Sequence, residues 1–442
     1  ATGDWSLLRE ALLVHLRLNL PEHMVPTHLT RLEHMPLSPN GKLDRKALPA
    51  PDLAERQEAF TAPVNAIERA LVEIWQGVLG VERVGTADNF FALGGDSINS
   101  IQVVSRARAQ GIGLAPKDLF LHQTIQALAR VAMVADEAVI DLAPVTGDSL
   151  LVPMQHWFFA SDIPHRDHWN QSVLLTPREP LDIVHLQQAL QHVVAHHDAL
   201  RLRFTQADDG RWHASHQAVD EQPLEIWQRT AQNAAEIVAI ADQAQRSLDL
   251  QRGPLLRCSL IAVQDGSSRL HLAIHHLVMD GVSWRVLLED LQNVYRQLRA
   301  NQAPALPGKS TAFKAWAAQL QDYAHSETLN KELDYWVGQL DQPLPPLPRA
   351  RPEGSQAAAH GRSVSTRLDA TQTQRLLKQA PTAYRTQVND LLLSALAQVV
   401  CQWTGQPACL VQLEGHGREE LFDGIDLSRT VGWFTSLFPV LL

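Results

Sequence analysis

Two adjacent histidines, His275 and His276, end an apolar segment and stand just before an aspartate–glycine pair, Asp280 and Gly281. Histidines in such a position can ligate a metal ion, pack in a core or take up a proton. The segment RLHLAIHH predicts a β-strand, on which successive side chains point to opposite faces. The two imidazoles would then point apart, which argues against one metal ion bound by both and leaves His276 on the apolar face.

His276 is predicted to be a neutral imidazole able to accept a proton, because burial on an apolar face disfavours the charged form. The alternative is a core histidine satisfied by a backbone carbonyl. Asp280 and Ser283 are both candidate N-caps for the helix predicted by the apolar stripe over residues 286–298. The positive end of that helix would lie near the imidazole and suit a substrate that develops negative charge. Asp280 itself is interpreted as a cap or ion-pair partner.

Ser97 is a second candidate centre, since it follows Gly94, Gly95 and Asp96 and begins a predicted helix. One interpretation is a helix N-cap, for which serine is favoured. A hydrolase nucleophile is disfavoured because the G-x-S-x-G pattern is absent. The third interpretation is a modification site, in which the glycines expose the hydroxyl and the helix N-terminus favours a phosphate.

The block over residues 64–136, with its motif DNFFALGGDSI, resembles the peptidyl carrier domains of non-ribosomal peptide synthetases. The resemblance implies an all-α four-helix bundle with 4′-phosphopantetheine on Ser97, flanked by Gly94, Gly95 and Asp96. It also implies a phosphopantetheinyl transferase as partner and an aminoacyl or peptidyl thioester on the arm. Aspartate before the serine is often seen in carriers that precede epimerization domains.

Residues 1–50 are predicted to form a small α+β tail, and LPEHMVP and NGKLDRKALP resemble the end of an adenylation domain. In that family the lysine of the second motif, here Lys42, contacts the acyl-adenylate. The alternative is a solvated lysine in a hairpin turn, which is favoured in this chain because nothing else of an ATP site is present. Residues 51–63 and 137–149 are predicted to be linkers.

Residues 150–442 alternate strand-like runs, such as QSVLLT and ACLVQLE, with helix-like runs, such as LQQALQHVVAHHDAL, which predicts an α/β fold. The HHLVMDG segment resembles the H-H-x-x-x-D-G signature of condensation and epimerization domains. These share the two-lobed fold of chloramphenicol acetyltransferase, so we expect an N-lobe to about residue 345 and a partial C-lobe after it. The resemblance makes His276 catalytic and His275 a packing or hydrogen-bonding neighbour.

Three further segments, VPMQHWFF, LEGHGREEL and RTVGWFTSLFP, resemble motifs of epimerization domains. Inverting a Cα centre requires removing a proton from one face and delivering one to the other, so two acid–base groups must flank the carbon. Glu414 is the candidate second group, with His416 and Arg418 as supporting residues, although a glutamate at a strand end is also often simply exposed. The predicted function is therefore L-to-D epimerization of the carrier-bound aminoacyl or peptidyl group. The alternatives are a condensation domain that forms a peptide bond and a carrier or docking fragment without catalysis.

The 442 residues suffice for about three domains at roughly 150 residues each. No segment approaches the ~20 apolar residues of a membrane span. The net charge of −10, without acidic or basic blocks, argues against nucleic-acid or anionic-membrane partners. Three cysteines without C-x-x-C spacing predict neither disulfides nor a zinc site, so no metal ion and a cytoplasmic location are expected.

The chain begins without methionine or signal-peptide features, so we expect its first residue to be a cut within a longer polypeptide. The resemblance implies an adenylation domain upstream and a condensation domain downstream. Later C-lobe motifs of epimerization domains do not follow WFTSLFPVLL. We therefore expect an incomplete C-lobe and a chain that accepts the arm on Ser97 but epimerizes poorly.

Overall fold

A computed structural model describes residues 60–134, 144–221, 224–341 and 386–442, most of residues 344–381, and Leu12 and Leu32 alone. Apart from Leu12 and Leu32, the tail predicted over residues 1–50, with Lys42, lies outside the described residues, as do most of both predicted linkers. Among the helices that are described, none combines the length and apolarity needed to cross a membrane.

The first described part of the chain contains four helices and two very short strands that pair antiparallel. They are α1 (Ala66–Leu79), α2 (Ser97–Ala109), β1 (Ile112–Gly113), α3 (Pro116–Leu121), α4 (Ile125–Val131) and β2 (Met133–Val134). Helix α1 begins after Asn65, whose side chain accepts a hydrogen bond from the backbone N–H of Glu68, and ends at Gly80 in the left-handed conformation. The helices enclose their own core, which includes Leu71, Trp75, Phe90, Val104, Leu119, Ile125 and Leu128.

The next part of the chain builds a larger α/β unit from two sheets and four helices. Its strands are β3 (Gly147–Ser149), β4 (Asn170–Leu175), β5 (Leu202–Gln206), β6 (Trp212–His216), β7 (Ile226–Ala231), β8 (Leu256–Val263) and β9 (Ser268–His275). Its helices are α5 (Pro153–Ala160), α6 (Ile183–His196), α7 (Ala234–Gln245) and α8 (Gly281–Arg299). One sheet has the order β3-β6-β5 and the other β4-β9-β8-β7, in which only β7 and β8 run parallel.

Strand β9 is an inner strand, hydrogen-bonded to β4 on one side and to β8 on the other. Every residue from Leu270 to His275 is buried, whichever face it points to, because the large core lies on one side of the sheet and α7 packs over β8 and β9. The sequence pattern placed His276 on the apolar face of this strand, but in the structure both faces of the strand are buried. His276 was expected on the strand, but it begins a 3₁₀ turn (His276–Val278) after the strand has ended.

The last part contains α9 (Phe313–Ala324), α10 (Glu327–Asn330), α11 (Leu333–Leu340), α12 (Ala370–Gln374), α13 (Val388–Thr404), β10 (Leu410–Gly415) and β11 (Ser436–Leu441). Strands β10 and β11 pair antiparallel, with Glu414 opposite Leu437. The loop between them, residues 416–435, returns to the larger unit and adds Leu427, Val431, Trp433 and Phe434 to its core. This loop joins the second lobe to the segment that carries the double histidine.

Candidate functional site

His276 and Glu414, which are 138 positions apart in the sequence numbering, line one cavity of about 430 Å³. His276 comes from the turn after β9, and Glu414 comes from β10 of the second lobe. The other lining residues are largely aromatic or apolar: Met154, Trp157, His168, Trp169, Asn170, Gln412, Trp433, Thr435 and Leu437.

The half-buried imidazole of His276 is held by its backbone and by one neighbouring ring. Its backbone N–H donates to the carbonyl oxygen of Trp169 at 2.8 Å, and its ring centroid lies 4.3 Å from that of Trp433. The Nε2 atom lies 2.9 Å from the amide nitrogen of Gln171. The sequence placed the imidazole on the apolar face of a strand; the turn after the strand instead brings the half-buried ring to the cavity wall.

His275 is fully buried and points away from the cavity. Its Nε2 donates to the carbonyl oxygen of Arg166 at 2.7 Å, and its Nδ1 accepts from the backbone N–H of Leu277 at 3.2 Å. Burial is the main cause that lowers the pKa of His275 to about 4. The ring is therefore neutral near pH 7 and holds the turn that presents its neighbour.

Glu414 is exposed on β10 and shares its face with Gln412, and both line the cavity. His416, two residues on, is not among the lining residues. Its Nδ1 accepts from the backbone N–H of Arg418 at 3.0 Å and lies 3.7 Å from a carboxylate oxygen of Glu419. His416 thus shapes the start of the 416–435 loop rather than the cavity wall.

Asp280 is the N-cap of α8, accepting from the backbone N–H of Ser283 at 2.7 Å. Its two carboxylate oxygens also lie 3.3 Å from Nη2 of Arg418, and one accepts from the backbone N–H of Phe434 at 3.1 Å. Nη1 of Arg418 donates to the carbonyl oxygens of Leu427 and Thr430, both at 2.7 Å. This buried cluster, called the Asp280–Arg418 clamp below, fixes the 416–435 loop on the start of α8.

Two glycines of the site differ in what their backbone requires. Gly417 has φ 66°, and a Cβ added there would lie 1.6 Å from the carbonyl oxygen of Phe434. Glycine is therefore the only residue that fits at this position. A Cβ at Gly281 would meet no atom within 4 Å, so sterics do not restrict that position to glycine.

Ser97 is the first residue of α2, and the N-cap is Asp96, whose side chain accepts from the backbone N–H of Asn99 at 2.7 Å. The interpretation of Ser97 as an N-cap is therefore wrong, because the preceding carboxylate already fills that role. Gly94 has φ 99°, and a Cβ at Gly95 would lie 2.4 Å from the ring of Phe90. Both glycines are required by the tight turn that leads into the serine.

Helices α2 and α3 contact the larger unit through pairs of complementary charge. Basic groups lie on the first part of the chain and acidic groups on the second: Arg106 with Glu289 at 3.2 Å, Lys117 with Glu420 at 3.2 Å, and Arg108 with Asp426. Near the serine, the side chain of Asn99 accepts from Arg285 at 2.7 Å. The end of α2 that carries Ser97 therefore lies against the first turns of α8, just beyond the Asp280–Arg418 clamp.

A cluster outside the cavity also has ligand-type atoms close together. Among the described residues, His196, His197 and Asp290 present such atoms within 4.8 Å of one another. Nε2 of His197 lies 2.9 Å from one carboxylate oxygen of Asp290, and Arg429 pairs with the other. Both carboxylate oxygens of Asp290 are thus already hydrogen-bonded, and the prediction that the chain needs no metal stays a prediction.

Sequence reasoning missed Gln171 and the partner of Arg418. Gln171 is hydrogen-bonded to both His276 and Trp284. Arg418 was expected as a supporting residue, and the structure pairs it with Asp280. Gln171 stands in a strand-like run without any charge or spacing pattern. Its role depends on the pairing of β4 with β9, which the sequence does not show.

Comparison with known proteins identifies the two parts of the chain. Residues 145–442 match the model of the condensation domain, and residues 69–132 match that of the phosphopantetheine attachment site. Tyrocidine synthase 2 of Brevibacillus parabrevis is 42% identical over 429 residues, which cover 96% of this chain and 12% of that protein. Surfactin synthase subunit 1 of Bacillus subtilis (strain 168) is 43% identical over 439 residues, covering 98% of this chain and 12% of that protein. The chain thus spans a small fraction of the length of these relatives.

Solved structures match the larger part. The epimerization domain from the third module of tyrocidine synthetase B has a TM-score of 0.65 and 39% identity, and the match covers 68% of this chain and 70% of that one. The first condensation domain of the calcium-dependent antibiotic synthetase has a TM-score of 0.53 and 22% identity, over 67% and 68% of the two chains. The second match concerns the fold alone.

Proposed function

Because the chain belongs to the condensation domain family and also carries a phosphopantetheine attachment domain, as a segment of a non-ribosomal peptide synthetase, we propose that it inverts a carrier-bound Cα centre. The substrate is an aminoacyl or peptidyl thioester, and the reaction is L-to-D epimerization. The observation that carries the proposal is the shared cavity, which His276 lines from one lobe and Glu414 from the other.

Two acid–base groups on separate elements suit this reaction. One group removes the Cα proton and the other delivers a proton to the opposite face, while negative charge develops towards the thioester carbonyl. His276 offers a ring nitrogen, and Glu414 offers a carboxylate. The 39% identity to an epimerization domain supports epimerization over the other chemistries of the family.

The attachment domain carries a covalent 4′-phosphopantetheine, and Ser97 is the proposed attachment residue. The local structure fits the group, since Ser97 begins α2 at a helix end that favours a phosphate, behind a turn that the glycines keep narrow. When attached, the arm supplies the thiol that holds the acyl group. The backbone N–H groups at the start of α2 would hold the arm's phosphate, and the hydrogen bond between Asn99 and Arg285 joins this end of α2 to α8, the helix that follows the signature segment.

The test starts from chain loaded at Ser97 with an L-aminoacyl phosphopantetheine by a phosphopantetheinyl transferase. Deuterium uptake at Cα in D₂O and chiral chromatography of the released amino acid then report proton exchange and inversion. We expect His276→Ala and Glu414→Gln each to lower the inversion rate by about 10²–10⁴-fold, the range of general acid–base catalysis. Ser97→Ala is expected to remain unloaded.

Matched control variants remove the same groups away from the cavity. His213 and Glu353 are both exposed, so His213→Ala and Glu353→Gln should keep the rate of the unaltered chain. Inversion that continues within a few-fold in both His276→Ala and Glu414→Gln would contradict the assignment of the site. Slow epimerization by this chain is expected from its sequence, so every variant is compared with the rate of the unaltered chain. Complete failure of the loaded, unaltered chain to exchange its Cα proton would contradict the proposed reaction.

Peptide-bond formation is the second candidate, because the matching family model is that of the condensation domain. It needs an acceptor amine on a second carrier, and the same loaded chain offers the assay. Addition of a free aminoacyl-pantetheine acceptor would yield a dipeptidyl thioester if this candidate holds. We expect no dipeptide, whereas a docking fragment without catalysis would give neither dipeptide nor exchange.

A further inference from the structure

A short chain of hydrogen bonds ends at the imidazole that lines the cavity. Nε1 of Trp284 donates to Oε1 of Gln171 at 2.8 Å, and the amide nitrogen of Gln171 lies 2.9 Å from Nε2 of His276. Trp284 belongs to the first turn of α8 and is 9% exposed, and Gln171 lies on β4. Gln171 does not line the cavity, so it acts on the site only through the imidazole.

The direction of these bonds follows from the tryptophan. An indole N–H is a donor only, so the atom of Gln171 that faces Trp284 must be the carbonyl oxygen. The amide NH₂ then faces His276 and donates, and Nε2 of His276 must accept with its lone pair. A neutral imidazole carries one proton, which therefore sits on Nδ1, a buried atom without a hydrogen-bond partner among the described residues.

We propose that Gln171, oriented by Trp284, is a positioning residue that fixes His276 as the Nδ1–H tautomer. Nε2 is then the unprotonated atom of the ring, and its single lone pair accepts from the amide of Gln171 in the resting chain. This inference deepens the proposed epimerization and rests on it for its catalytic meaning. During the reaction the hydrogen bond from Gln171 opens and frees the lone pair of Nε2. The Cα–H bond then breaks, its electron pair stays on the substrate, and the proton passes to Nε2, while the proton on Nδ1 stays.

The same geometry sets the fate of that proton. Once Nε2 is protonated, its N–H faces the NH₂ of Gln171, and two donors oppose each other. The amide cannot rotate to offer its oxygen without turning its NH₂ towards the N–H of Trp284. His276 therefore holds the proton only transiently and is biased to give it up, as an inverting enzyme that releases its product requires.

The test uses the full chain with ¹⁵N-labelled histidine, because ring nitrogen shifts distinguish a protonated from an unprotonated nitrogen. The His276 signals are assigned by their loss in His276→Ala. We expect the resting chain at neutral pH to show a protonated Nδ1 and an unprotonated Nε2 at His276. A protonated Nε2 in the unaltered chain would overturn the proposal.

Gln171→Glu is the discriminating variant, since it keeps the shape of the side chain and its bond to Trp284. The second carboxylate oxygen can only accept, so Nε2 of His276 should become protonated, and Cα exchange should slow by about tenfold or more. A purely structural role would survive this replacement. Unchanged ring shifts together with an unchanged exchange rate would refute the proposal.

Two further variants complete the experiment. Trp284→Phe frees the amide to turn, so both tautomers of His276 should appear, whereas a single unchanged tautomer would contradict the role of Trp284. Gln228 is an exposed glutamine on β7 of the same sheet, and Gln228→Glu should change neither shifts nor rate. The ring shifts are measured without substrate, so they test the tautomer even if epimerization itself fails.

Discussion

Replacing Asp280 by alanine leaves a buried guanidinium without its counter-charge. Asp280 and Arg418 are each 4% exposed, and both carboxylate oxygens lie 3.3 Å from Nη2 of the arginine. The same carboxylate accepts from the backbone N–H groups of Ser283 and Phe434. One substitution therefore removes an ion pair, a helix cap and an anchor of the 416–435 loop together.

The magnitude follows from these lost contacts. Loss of a helix N-cap costs about 1 kcal/mol. Removal of one partner of a buried ion pair costs about 3–5 kcal/mol, because the other charge stays buried. Arg418 keeps its two bonds to backbone carbonyls, so we expect the lower end, a total loss of about 4 kcal/mol, against roughly 5–15 kcal/mol for the stability of a domain.

Urea unfolding followed by tryptophan fluorescence measures this loss, since Trp284 and Trp433 both lie beside the Asp280–Arg418 clamp. A double-mutant cycle with Arg418→Met separates the pair from the rest, and the two changes together should cost clearly less than the sum of the single ones. Asp208 is exposed, and Asp208→Ala is the control that should stay within about 0.5 kcal/mol of the unaltered chain.

Two results would refute this reasoning. A loss below about 1 kcal/mol in Asp280→Ala would mean that the buried charge finds another partner or water at little cost. Additive effects of the two changes would mean that Asp280 and Arg418 act independently, so that their proximity carries no coupling energy.

The remaining predictions concern docking, backbone shape and pH. Arg106→Glu should slow Cα exchange of the loaded chain, and adding Glu289→Arg to that variant should restore the rate in part. Equal rates in the unaltered chain, the single variant and the double variant would exclude charge-guided docking. Gly417→Ala should lower the melting temperature far more than Gly424→Ala, since both positions have positive φ but only the first places a Cβ against a backbone carbonyl. Similar changes in the melting temperatures of the two variants would contradict the close approach of Gly417 to the carbonyl of Phe434. Burial lowers the pKa of His275 to about 4, so between about pH 6.5 and pH 4 the unfolded chain binds a proton that the folded chain excludes. The free energy of unfolding should therefore fall by about 3 kcal/mol from this group as the pH drops through that range. A fall of the same size in His275→Gln would assign the effect to other groups.

The sequence predicted much of the order of elements. The runs predicted as strands and helices coincide with β4, β9, β10, α6 and α8 to within a few residues, because apolar patterns set local structure. Asp280 was one of two predicted caps, and it is the cap observed. His276 and Glu414 were paired by the family resemblance, and both line the cavity, although their catalytic roles stay predictions.

What the sequence could not predict depends on contacts between distant segments. Strand parity assigned His276 to an apolar face, but the strand ends one residue earlier, and β9 is covered on both faces. The partner of Asp280 is 138 positions away, at Arg418, and nothing in the local pattern of either residue points to the other. Asp96, not Ser97, caps α2, since a carboxylate one residue earlier competes for the same backbone N–H.

The clamp and the hydrogen-bond chain to the imidazole are connected through the start of one helix. Asp280 fixes the first turn of α8, that turn carries Trp284, and the indole orients Gln171 towards His276. The aspartate of the signature therefore acts on the histidine four residues before it through a longer path across β4. No hydrogen bond between the side chains of Asp280 and His276 is needed for this effect, because the start of the helix sets which nitrogen of His276 is unprotonated.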